Sequence, residues 1–131
     1  MGGFETTEVI IEKLTDAIRT AEWYVGLQKK WKFTKIPILS YDWPKVPMFF
    51  AEIISETITR STIKLRDMLD ISSYYGFPRP DTHLLPGLVF DARVFEQVGP
   101  DAGESTKFEV SSSFLDQLRK QNLLVERVPT V

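Results

Sequence analysis

The sequence predicts an α+β fold dominated by helices: two long helices forming a hairpin, then a small antiparallel β-hairpin and a short C-terminal helix. Two observations predict it. Apolar residues recur at helical spacing through two stretches of the first half, and they alternate with polar residues in the last third. The 131 residues are expected to form a single domain. It divides into a first helix (1–35), a proline and aromatic connector (36–47), a second helix (48–71), an aromatic and proline-rich loop (72–87), and a β-hairpin with a short helix (88–131).

The first helix is predicted from about Thr7 to Trp31. Acidic residues lie near its start and lysines near its end, which is the polarity that the helix dipole favours. Its core-facing stripe steps by three and four residues. The stripe consists of Ile10, Leu14, Ala17, Ala21, Tyr24, Gln28 and Trp31.

The second helix is predicted from about Met48 to Asp70, with Pro47 suited to its first turn. Many of its residues are β-branched, so its intrinsic helix propensity is poor and packing must hold it. Its periodic stripe consists of Ala51, Ile54, Ile58, Leu65 and Met68.

The last third is predicted to begin with a β-hairpin. Residues 88–98 alternate in polarity, residues 99–105 have the composition of a turn, and residues 107–110 alternate again.

A short helix from Phe114 to about Gln121 is predicted next, because Ser113 and Asp116 have capping-box spacing ahead of it. Asn122 is expected to end that helix, and residues 123–128 are expected to form a third short strand.

The composition excludes several classes of protein. The chain has no cysteine, so it has no disulfide framework, no thiolate zinc site and no cysteine nucleophile. Its net charge of −2 gives no global argument for nucleic acid or for an anionic membrane. No apolar run reaches the roughly 18 residues that span a bilayer, and the first residues lack the pattern of a signal peptide. We therefore expect a soluble protein, located in the cytoplasm or in a virion.

The sequence offers little for catalysis. His83 is the only histidine, and Asp81 is the acid nearest to it in sequence. No group of residues has the spacing of metal ligands, so we expect no metal site and no cofactor. A small enzyme that uses His83 with Asp81 is the least favoured of three functional hypotheses.

A basic and aromatic run at the end of the first helix is the best candidate for recognition of nucleic acid. Lysines can neutralise phosphates, and an indole can stack on a base. The alternative interpretation is a cationic helix end with a buried tryptophan, which the helix dipole also explains. The candidate residues are Lys29, Lys30, Trp31, Lys32 and Lys35.

The aromatic residues beside prolines in the two connectors are candidates for a protein interface, because interface cores are enriched in such side chains. Alternatively they cover the helical core of their own chain. The candidate residues are Tyr41, Trp43, Tyr74, Tyr75 and Phe77.

These observations favour a non-enzymatic structural or adaptor subunit of an oligomeric assembly. Two long helices and a small sheet make a thin core, and neighbouring subunits would cover the remaining apolar surface. Coat and connector subunits of virions are one class with this size and composition, by analogy alone. A nucleic-acid-binding protein is the first alternative, and the two functions are compatible.

Overall fold

The computed structural model describes residues 6–9, 11–33, 43–77 and 86–127. Their order in the chain is β1 (Thr6–Val9), α1 (Ile11–Thr20), α2 (Glu22–Phe33), a 3₁₀ turn (Trp43–Lys45), α3 (Val46–Arg60), β2 (Ile63–Lys64), α4 (Leu65–Tyr74), α5 (residues 86–91), β3 (Phe95–Val98), a 3₁₀ turn (Gly103–Ser105), β4 (Lys107–Val110), α6 (Ser112–Lys120) and β5 (Leu124–Arg127). The predicted class is confirmed: the fold is α+β and dominated by helices, with a small antiparallel sheet and a helix near the C-terminus.

The predicted first helix is two helices preceded by a strand. The helical hydrogen bonds are interrupted at Ala21, whose N–H bonds to the carbonyl of Ile18 three residues back, and α2 begins at Glu22. The first residues of the predicted helix instead form strand β1, which pairs with β5 in antiparallel register. The break allows α1 to pack along α3 through Leu14 and Ile18, which are both buried.

The predicted second helix is also divided, so the proposed hairpin of two long helices is wrong in its bounds. Helix α3 stops at Arg60, and Ser61 has a positive φ of 74°. Ile63 then pairs with Phe108 of β4, and α4 starts again at Leu65. The β-branched residues after Arg60 explain this outcome, because they favour an extended backbone where a partner strand is present.

The predicted loop at residues 72–87 is shorter than expected. Helix α4 continues to Tyr74, and Pro86 and Gly87 already belong to α5. Pro47 lies in the first turn of α3, as expected, although Val46 is its first residue.

The β-hairpin of β3 and β4 is confirmed, but its first strand is shorter than predicted. Residues 88–91 are helical, so β3 begins only at Phe95. Strand β2 pairs with the other side of β4, which gives a three-stranded antiparallel sheet in the order β2-β4-β3.

The short helix near the C-terminus is confirmed as α6, but its cap is Ser111 instead of Ser113. The Ser111 hydroxyl accepts a hydrogen bond from the Phe114 N–H at 3.4 Å. Asn122 ends this region with φ 56°, as expected. The predicted third strand forms as β5, but it pairs with β1 and stays outside the three-stranded sheet.

Helix α3 lies at the centre of the core. Phe49, Phe50, Ile53 and Ile54 are almost completely buried. The ring of Phe50 makes edge-to-face contacts with three other rings, an arrangement that aromatic side chains favour. These rings belong to Trp23, Tyr24 and Phe49.

Candidate assembly surface

The basic and aromatic run at the end of α2 is joined to α5 by a shared carboxylate. The indole Nε1 of Trp31 donates a hydrogen bond to Asp91 Oδ2 at 2.9 Å, and Lys30 Nζ lies 3.3 Å from the same oxygen. The hydrogen bond from Trp31, followed by the interaction with Lys30, lowers the pKa of Asp91. These contacts therefore hold α2 against α5, although the two helices lie far apart in the sequence.

The indole of Trp31 is half-buried against the core and lies over α5. A Cβ atom at Gly87 would stand 3.4 Å from the indole, so this glycine allows the close approach of the two helices. Packing and the hydrogen bond account for Trp31 as a structural residue, in line with the alternative interpretation. Lys29 is exposed, whereas the side chain of Lys32 and all of Lys35 lie outside the described residues. Binding of nucleic acid by this run stays a prediction.

The predicted interface aromatics fall into different environments. Trp43 and Phe77 are each only 5% exposed and belong to the core of their own chain. Tyr74, in contrast, is 85% exposed at the end of α4. Tyr41 lies outside the described residues.

Tyr75 is intermediate between these two environments. Its hydroxyl lies 3.5 Å from Glu52 Oε2, and its ring meets the ring of Tyr74 edge-on at 5.5 Å. Burial, followed by the nearby Glu52 carboxylate, raises the pKa of Tyr75. Tyr74 is therefore the one described member of this set whose side chain is freely exposed.

The residues considered for catalysis are not tested by the structure, because His83 and Asp81 both lie outside the described residues. Within the described ranges, no three carboxylate or imidazole side chains converge as a metal site would require. None of the helices in those ranges is long and apolar enough to cross a bilayer.

Strand β3 provides a surface that the sequence did not indicate. In the described part of the chain it is an edge of the three-stranded sheet, since no strand lies beyond it. Phe95 is only 8% exposed, whereas Glu96, Gln97 and Val98 are exposed. The accessible edge is therefore the end of β3 that leads into the turn.

The hydrogen-bonding pattern of the hairpin shows which backbone groups this edge presents. The Ser111 N–H bonds to the Val94 carbonyl at 2.8 Å, so residues 94 and 111 form a hydrogen-bonded pair. Hydrogen-bonded and non-hydrogen-bonded pairs alternate along an antiparallel ladder. Gln97 and Phe108 therefore form a non-hydrogen-bonded pair. The N–H and C=O of Gln97 consequently point away from β4, toward the open edge.

A cavity of about 340 Å³ adjoins this edge on the buried face of the sheet. Its aromatic lining includes Phe90, Phe95 and Phe108, and Phe90 itself is 42% exposed. The rings of Phe90 and Phe108 are 5.1 Å apart. Apolar surface and outward-facing backbone groups thus lie side by side at the turn end of β3.

No family model, curated protein or solved structure matches this chain.

Proposed function

We propose that this protein is a non-enzymatic structural subunit that self-associates through the exposed end of strand β3. The observation that carries the proposal is the outward-facing backbone of Gln97 at an open sheet edge, beside the exposed side chains of Phe90 and Val98. An open edge of this kind is a template for pairing with another strand. Pairing would satisfy the N–H and C=O of Gln97 and cover the neighbouring apolar surface.

A second copy of the chain fits this edge in one favoured register. Two antiparallel β3 strands related by a two-fold axis through Gln97 place the two Gln97 residues opposite each other, where each can donate to and accept from the other. Glu96 of each copy then faces Val98 of the other. A shift that centres the pair on Glu96 would place two glutamates directly opposite each other, which is unfavourable.

Replacement of Gln97 by proline tests this contact. Proline removes one outward-facing N–H, and it leaves the hydrogen bonds to β4 intact because the N–H of Gln97 does not take part in them. We expect the native chain to have a mean mass above 15.1 kDa that rises over about a hundredfold range of concentration. Gln97→Pro should lower that mass at every concentration, as measured by sedimentation equilibrium.

Gln97→Ala is the matched control, because it removes the side chain and keeps the backbone N–H. It should retain the mass of the native chain, and circular dichroism should show that both variants are folded. Equal masses for Gln97→Pro and the native chain would contradict the proposed contact. Equal losses in the proline and alanine variants would assign the contact to the side chain instead of the backbone.

A further inference from the structure

The open face of the three-stranded sheet carries four charged residues in an unusual arrangement. In the register of the sheet, Lys64 lies opposite Lys107, and Glu96 lies opposite Glu109. All four side chains are exposed, while the residues that alternate with them are mostly buried. The like charges are therefore direct neighbours across adjacent strands, which costs stability in an isolated sheet.

None of these four side chains forms a close ion pair with another described residue. The ion pairs among the described residues involve other side chains, such as Arg66 with Glu104 at 3.8 Å. Lys107 and Glu109 are two residues apart on β4, so the basic pair and the acidic pair lie about 7 Å from each other along the strand direction. The face thus has a positive end and a negative end.

We infer that this open face binds the same face of a second copy of the chain. A two-fold axis that lies in the interface, perpendicular to the strands and between the two charged pairs, brings Lys107 of each copy against Glu109 of the other. Lys64 then lies beside that Glu109, and Glu96 lies beside that Lys107 on the neighbouring strand. The face is then complementary to itself, as a two-fold interface requires. Val98, which is 37% exposed on the same face, lies opposite Glu96 of the other copy, so no like charges face each other across the contact.

The size of the face sets the expected strength of this contact. Stable dimers bury roughly 800 Å² on each partner, and a face of three short strands offers less than that. The association should therefore depend on concentration and weaken with added salt between about 0.05 and 0.5 M, because exposed ion pairs are screened. The contact uses the face of the sheet and not its edge, so it is separate from the pairing of β3.

Charge reversal with rescue tests the inference. The double variant Lys64→Glu, Lys107→Glu has an entirely acidic face, and Glu96→Lys, Glu109→Lys has an entirely basic one. Each should associate about tenfold or more weakly than the native chain, because its faces repel each other. An equimolar mixture of the two should recover the lost association, since an acidic face then meets a basic one.

The Gln97→Pro variant distinguishes face-to-face association from the pairing of β3 edges. Gln97→Pro removes the edge contact and leaves the charged face unchanged, so its remaining association should still be abolished by the two lysine replacements. Native-like mass in both charge-reversed variants, or no recovery in a mixture of folded variants, would overturn the inference. If a charge-reversed variant fails to fold, the neutral variant Lys64→Gln, Lys107→Gln replaces it. This variant should associate more weakly than the native chain, and its association should depend less on salt. Native values for both quantities would refute the contact.

Discussion

Helix α3 and the three-stranded sheet differ in how much of their surface the rest of the chain covers. Helix α3 is enclosed over most of its circumference, and Phe50 in its second turn is fully buried among three other aromatic rings. Among the described residues, the sheet is packed on one face only, through residues such as Ile63 and Phe108, and it has an exposed edge at β3. From this comparison we expect α3 to provide most of the stability of the fold, whereas the sheet offers the surface that we propose for association.

Replacement of Phe50 by alanine should have the largest effect on stability. It removes a buried ring and leaves a cavity among Trp23, Tyr24 and Phe49, so the free energy of unfolding should fall by about 3–5 kcal/mol. Urea denaturation followed by circular dichroism measures this loss. The matched control is Tyr74→Ala at an 85% exposed position, which should change stability by less than about 0.5 kcal/mol. Similar losses in the two variants would show that α3 is not the main source of stability.

Replacement of Thr106 by valine should have an intermediate effect, because it affects the support of the sheet. The buried hydroxyl of Thr106 accepts a hydrogen bond from the Ala102 N–H at 2.9 Å and donates to the Gly103 carbonyl at 2.7 Å. Valine keeps the shape and removes both bonds, which should cost about 1–3 kcal/mol in urea denaturation. It should also weaken self-association, because the turn held by Thr106 positions the exposed end of β3. Unchanged association in a folded Thr106→Val protein would show that the hydrogen bonds of the turn do not contribute to the interface.

Replacement of Asp91 by asparagine should have the smallest effect. The pKa of Asp91 is lower in the folded protein than in the unfolded chain, so its ionised form stabilises the fold at neutral pH and this contribution disappears as the pH falls through the folded pKa. Since the contact is exposed and screened, we expect less than about 1 kcal/mol at pH 7. The native chain and Asp91→Asn should converge in stability once the pH lies below the folded pKa of Asp91. A difference that persists at low pH would assign the effect to packing of Trp31 and not to charge.

The sequence predicted those parts of the fold that depend on local patterns. Helical periodicity indicated the apolar faces of α1 and α3, and alternation with a turn indicated the hairpin of β3 and β4. The break at Ala21 was not predictable from composition, because alanine is the strongest helix former. The break at Ser61 depends on the pairing of Ile63 with a strand far away in the sequence.

The candidate surface was harder to predict than the fold. The sequence drew attention to Trp31, Trp43 and Phe77, yet their side chains serve largely to pack their own chain. Gln97 carries no chemical signal of its own, and its importance follows only from the strand order that places β3 at an edge. The like-charge pairs likewise appear only once the register is known.

Sedimentation equilibrium of the native chain, over about a hundredfold range of concentration, is the most direct test of self-association through the sheet. We predict a mean mass above 15.1 kDa that increases with concentration and decreases as salt is added. A constant mass of 15.1 kDa at all concentrations and at low salt would contradict the assignment of the sheet as a surface for self-association.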